Sequence, residues 1–138
     1  VSQQIHGTVV ADTPESGVLL IGPSGAGKSG LALQLMAYGC NLVADDLVDL
    51  RGEGGRLIAG AAAPLNGIEA RGVGILKSVQ IPDAQVVLVV DLGKTETERL
   101  PETRSITYCD VDLPLVHKFE AAHFPAAILH YMRYGRLA

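Results

Sequence analysis

The chain has 138 residues, 48% of them hydrophobic and 19% charged, with a formal net charge of −4. That length suits one domain with a real core, residues 1–138, and the composition excludes a disordered chain. With no block of Lys or Arg, no Trp and two Phe, neither a nucleic-acid footprint nor a base-stacking surface is expected.

The chain opens without the basic stretch and apolar run of a signal peptide. Its longest apolar run, Val86 to Val90, is far too short to cross a bilayer. A cytoplasmic protein with no membrane partner is expected. Thr8 to Ala11 carries a strand signal beside the lone His6, and Asp12 to Gly17 is turn chemistry. Val18 to Ile21 reads as a short buried strand. Gly22-Pro-Ser-Gly-Ala-Gly-Lys-Ser29 then completes the P-loop pattern G-x-x-x-x-G-K-[ST]. Gly22, Gly25 and Gly27 allow tight turns that bring N–H groups up to phosphate oxygens. Pro23, Ser24 and Ala26 complete the cradle, Lys28 offers an ammonium, and Ser29 offers a hydroxyl that can ligate Mg²⁺. Leu31, Leu35 and Met36 follow at helical spacing, so the loop is expected at a helix N-terminus, where the dipole favours anions. Gly39 sits where a C′ glycine belongs.

Asn41 to Ala44 reads as a short strand ending at Asp45-Asp46. Leu47 to Arg51 and Arg56 to Ala59, around Gly-Glu-Gly-Gly, read as a hairpin. Ala61 to Ile75 is rich in Gly, Ala and Pro, with Asn66, Glu69 and Arg71 as its polar content. Val86 to Val90 is the strongest strand, buried on both faces. Lys94 to Arg104 reads as a charged loop or short helix, Ser105 to Val111 as an alternating strand, and Ala121 to Arg133 as a helix. Consecutive short strands after the first helix favour an α/β fold with a mixed sheet over a doubly wound one. Cys40 and Cys109 form no CxxC pair, and the four His do not join them at zinc-ligand spacing, so two free thiols are expected.

A P-loop needs carboxylates to hold its metal and position the nucleophile. Asp91, after the Val86 to Val90 run, and the Asp45-Asp46 pair both end predicted strands; each also fits a turn. Glu69 and Arg71 sit among small residues, with Gly67, Gly72 and Gly74 permitting close approach to a ligand, or simply forming a surface loop.

With those residues in view, the chain resembles the catalytic domain of HPr kinase/phosphorylase over about residues 5–116. His6-Gly7, the P-loop, Leu42-Val-Ala-Asp-Asp46 and Ile68-Glu-Ala-Arg-Gly-Val-Gly-Ile75 recur in the family's order. The resemblance implies a fold related to the nucleotide domain of PEP carboxykinase. It implies ATP as phosphoryl donor, Mg²⁺ held by Ser29 and Glu69, and a serine of HPr or an HPr-like phosphocarrier as acceptor. It casts Asp46 as general base, Lys28 as the phosphate-binding lysine, and His6 and Arg99 as active-site residues, and leaves Asp91 a structural role. It also implies a homohexamer.

Three departures stand out. A form lacking the family's N-terminal domain is expected, Gly30 replaces a Glu, and Pro114-Leu-Val-His-Lys-Phe119 replaces the arginine-containing segment tied to phosphorolysis. Kinase chemistry is therefore expected to outlast phosphorylase chemistry. A homo-oligomer is also suggested by the last helix, where Phe124, Ile128, Leu129, Tyr131, Met132 and Tyr134 spread wider than one core stripe. A P-loop small-molecule kinase and a nucleotide-binding regulator are the alternative readings.

Overall fold

The computed structural model describes residues 1–63 and 67–138; Asn66 lies outside them. Two strands open the chain. β1 (Ser2–Thr13) turns at Pro14-Glu15 into β2 (Ser16–Ile21), its antiparallel partner. The P-loop leads into α1 (Lys28–Ala37). That helix ends as its glycine predicts: Gly39 has φ 107°, its N–H donates to Met36 O, and Cys40 N–H donates to Leu35 O. This is the Schellman pattern, which needs a left-handed residue after the cap.

β3 (Asn41–Glu53) and β4 (Arg56–Ala61) form the expected hairpin. Gly54 and Gly55 both have positive φ, the geometry of a type I′ turn. β5 (Ile68–Ala70) and β6 (Gly74–Leu76) form a small separate hairpin. Its turn runs from Ala70 to Val73, with Gly72 at φ 84°, as a type II turn requires. β7 (Asp83–Thr95), β8 (Arg104–Tyr108), β9 (Val111–Lys118) and α2 (Phe124–Tyr134) complete the described chain.

Seven strands join in one mixed sheet, in the order β2-β1-β3-β4-β7-β9-β8. β2 also pairs with β7 in parallel, so β2, β1, β3, β4 and β7 close into a ring. One core cluster draws Val9, Leu19, Val43, Leu57 and Val89 from all five ring strands. A second joins Val10, Leu20, Leu42, Leu88 and Val90 to α1, α2 and Ile68 of β5. Alternation explains the split: Val9 and Val10, or Val89 and Val90, face opposite ways. The register shift in the β1–β3 pairing leaves Val43 and Ala44 on the same core, the mark of a bulge.

Three expectations change here. Neither Asp45-Asp46 nor Asp91 ends a strand: β3 runs through the pair, and β7 runs on past Asp91 to Thr95. Ser105 to Val111 is not one strand, because Cys109 and Asp110 (φ 50° and 62°) make a tight turn between β8 and β9. The α2 residues do not form a surplus apolar face. Ile128, Leu129 and Met132 are buried, Phe124 and Tyr131 pack partly against the same core, and of the six only Tyr134 is exposed. Lys94 to Arg104 contains the end of β7 and a loop, not a helix. Glu96 organises that loop by accepting from the N–H groups of Thr97 and Glu98 and from Arg104.

Candidate active site

β2, β7 and β9 run parallel, with Ile21 beside Asp91 and Asp91 beside His117. Their carboxyl ends therefore open on one side of the sheet, where ligands bind in parallel α/β arrangements. The P-loop leaves from the end of β2. Its glycines all take left-handed backbone: Gly22 at φ 141°, Gly25 at 86° and Gly27 at 104°. Ala26 N–H donates to Pro23 O at 3.0 Å, closing a turn with Gly25 at its third position. Gly27 is the N-cap of α1, with no capping side chain and no acidic residue in the first turn. The first-turn N–H groups have no helical acceptor, so an anion is their natural partner.

Lys28 folds back over the loop, donating to Gly22 O at 2.7 Å and Pro23 O at 3.1 Å. Ser29 Oγ donates to Asp45 Oδ1 across a long 3.4 Å. The same oxygen accepts a 2.9 Å bond from Thr8, the buried cross-strand partner of Asp45. So β1 and β3 deliver a carboxylate to the P-loop serine. Oxygen donors of this kind suit Mg²⁺, which binds through one or two protein oxygens and completes its shell with water and phosphate.

Asp46 lies next along β3 but behaves differently. Its φ is 75°, uncommon for a residue with a side chain, and its carboxylate is almost fully exposed. The left-handed turn of the backbone takes it off the alternation and sets it 3.8 Å from His6 Nδ1. Opposite Asp46 in the ladder is Gly7, where a Cβ would lie 2.9 Å from Leu20 O. The His6-Gly7 pair thus has a packing reason: only Gly lets β1 pass this close to β2.

The other expected site residues are more scattered. Glu69 is exposed on β5, next to Ile68, which is buried in the core beside α1. Among the described residues the hydroxyl of Ser29 bonds Asp45, not Glu69, and no three His, Cys, Asp or Glu side chains gather as a metal cage. Arg99 lines a cavity of about 190 Å³ with Glu96, Arg104, His117, Phe119 and His123. Hydrogen bonds from Arg104 hold the Glu96 carboxyl below its usual range. Asp91 Oδ1 accepts the N–H of Gly93 at 2.8 Å.

Two further residues stand at the loop. Gly93 follows the β2–β7 pairing and faces the loop so closely that its absent Cβ would lie 2.9 Å from Pro23 Cδ. Lys118, at the end of β9, donates to Ala26 O at 3.4 Å. The available signal was position: Gly93 lies just beyond the part of β7 that pairs with β2, and Lys118 pairs with Thr95 at the very end of β9.

Residues 1–116 match the family model described as the HPr serine kinase C-terminal domain. The chain belongs to that family. The HPr kinase/phosphorylase of Bacillus pumilus is 45% identical over 124 residues, covering 80% of this chain and 40% of that protein. The Chlorobium limicola HPr kinase/phosphorylase is 40% identical over 131 residues, covering 83% and 39%. The chain thus spans about two fifths of the length of these curated relatives. The solved HPr(Ser) kinase/phosphatase of Coxiella burnetii is 25% identical, with a TM-score of 0.76 over 98% of this chain and 97% of that one. The mixed α/β architecture is therefore the HPr kinase fold. Among the described residues, no helix is long and apolar enough to cross a membrane.

Proposed function

We propose that this chain is an ATP- and Mg²⁺-dependent kinase domain that phosphorylates a serine of HPr or an HPr-like phosphocarrier. The observation that carries the reading is the division of labour between adjacent carboxylates. Asp45 is tied to Thr8 and the P-loop serine. Asp46 projects into solvent beside His6, where a serine on another protein can reach it.

The transfer is in-line displacement, which depends on positioning and charge neutralisation. The N–H groups of Gly22 to Ser29 and the Lys28 ammonium bind the phosphates. Ser29 and Glu69 would hold Mg²⁺, which would supply positive charge to offset that of the phosphates. Asp46 orients the acceptor hydroxyl and takes its proton, with His6 beside it, and Arg99 is the further active-site residue of this reading. A protein substrate needs its base at the surface, as Asp46 is, whereas a small-molecule kinase encloses its acceptor.

Kinase activity is expected to dominate over phosphorolysis, because Pro114 to Phe119 lies within or just beyond β9 and carries no arginine. A cytoplasmic location and assembly as a homohexamer belong to the same reading. Exposed Val73, Ile75 and Val79 supply apolar surface for assembly. The test is incubation with γ-labelled ATP, Mg²⁺ and an HPr-type carrier. Label on a carrier serine supports the reading; ATP binding with no label on any carrier favours the nucleotide-binding regulator.

A further inference from the structure

Lys118 closes β9, and its backbone is fixed there by a 2.7 Å bond from Glu96 N–H to its carbonyl. Its neighbours His117 and Phe119 line the cavity that holds Arg99. Lys118 itself reaches the P-loop, with Nζ 3.4 Å from Ala26 O and 3.2 Å from Glu120 Oε1. Lys28 grips Gly22 and Pro23 of the same loop. Two ammonium groups, from elements far apart in sequence, thus bond carbonyls of one phosphate cradle.

An ammonium has three donors, and an exposed ion pair such as Lys118–Glu120 is weak. Phosphate oxygens entering the cradle carry more charge than the Glu120 carboxylate. We propose that Lys118 is a second phosphate-binding lysine of this P-loop, occupied by Glu120 in the free protein and turned to the nucleotide when its phosphates arrive. The inference rests on the P-loop being the nucleotide site.

The competing account is a strut, in which Lys118 merely braces the loop through Ala26. The two differ in what Glu120 does. Calorimetry with MgATP on the wild type, Lys118→Met, Glu120→Gln and the double variant decides between them. Lys118→Met weakens MgATP binding about tenfold, as expected for a lost charged hydrogen bond. Glu120→Gln tightens it about two- to threefold, the scale of a surface ion pair. The double variant matches Lys118→Met alone, because Glu120 acts only through Lys118. Binding by Lys118→Met within twofold of wild type overturns the proposal, as does tightening by Glu120→Gln that persists without Lys118. If Lys118→Met fails to fold, the Glu120→Gln measurement still decides: no tightening leaves only the strut. Lys28→Met tests the underlying reading separately. If it weakens MgATP binding and Lys118→Met does not, only the second lysine is wrong; if wild type does not bind MgATP, both fail.

Discussion

Gly93 and Gly30 invite the same substitution with opposite results. At Gly93 an alanine Cβ would lie 2.9 Å from Pro23 Cδ and 3.1 Å from Asp91 Oδ1. Pro23 is a rigid ring in the P-loop, so it cannot swing aside as a flexible side chain can; the loop itself must shift. Overpacking of this kind costs about 1–3 kcal/mol, offset by about 0.4–1 kcal/mol from the stiffer unfolded chain. The net loss of about 0.5–2 kcal/mol lowers the melting temperature by about 2–8 °C in a domain of this size. At Gly30, in the first turn of α1, an added Cβ meets nothing within 4 Å. Gly30→Ala therefore raises stability by about 0.5–1 kcal/mol, or about 2–4 °C. Thermal melts followed by circular dichroism, with and without MgATP, read both effects. Gly93→Ala also shrinks the stabilisation given by MgATP, because the displaced loop binds it less well. If Gly93→Ala melts at or above the wild-type temperature, the claimed close approach of β7 to the P-loop is wrong.

Two further predictions concern titration. Hydrogen bonds from Arg133 hold the Asp12 carboxyl below its ordinary value of 3.8, tying β1 to α2. A depressed folded value means the contribution is complete above the unfolded value and lost as pH falls through the folded one. Urea midpoints of wild type and Asp12→Asn should therefore differ at pH 7 and converge as pH drops below about 4. Burial pushes the Cys40 thiol up to about 11, the nearby Asp12 charge adding to it. At pH 8 about one thiol in a thousand is ionised, so Cys40 should alkylate far more slowly in the folded protein than in urea. Equal rates would show that the site beneath α1 opens freely.

What was legible in the sequence was what neighbouring residues encode together. The P-loop's eight residues specify their own turns, α1 shows its period, and Gly54-Gly55 announces its hairpin. Cys109-Asp110 was missed because a left-handed turn without glycine leaves no mark, and the alternation of Ser105 to Val111 runs straight through it. β3 looked finished at Asp45-Asp46 because two carboxylates mid-strand are costly. What makes them tolerable is not written beside them: Thr8, 37 positions upstream, bonds Asp45, and the left-handed backbone of Asp46 turns its carboxylate out to solvent. Gly93 and Lys118 join the site only because β2, β7 and β9 run parallel, and pairing between distant strands is not written locally. The wide apolar spread of α2 was real but was misread: the helix and β-ring share a core that absorbs it.

The most direct test of the account compares Asp46→Asn with Asp45→Asn in transfer of labelled phosphate from ATP to an HPr-type carrier, with MgATP affinity measured beside it. Asp46→Asn keeps the shape and the exposed position but removes the proton acceptor. It should cut transfer by ~10²–10⁴-fold while leaving MgATP affinity within about twofold of wild type. Asp45→Asn, which alters the partner of Ser29, should transfer better than Asp46→Asn and disturb nucleotide binding more. If Asp45→Asn is the inactive variant, or Asp46→Asn transfers at the wild-type rate, Asp46 is not the base and the division of labour between the two carboxylates is refuted.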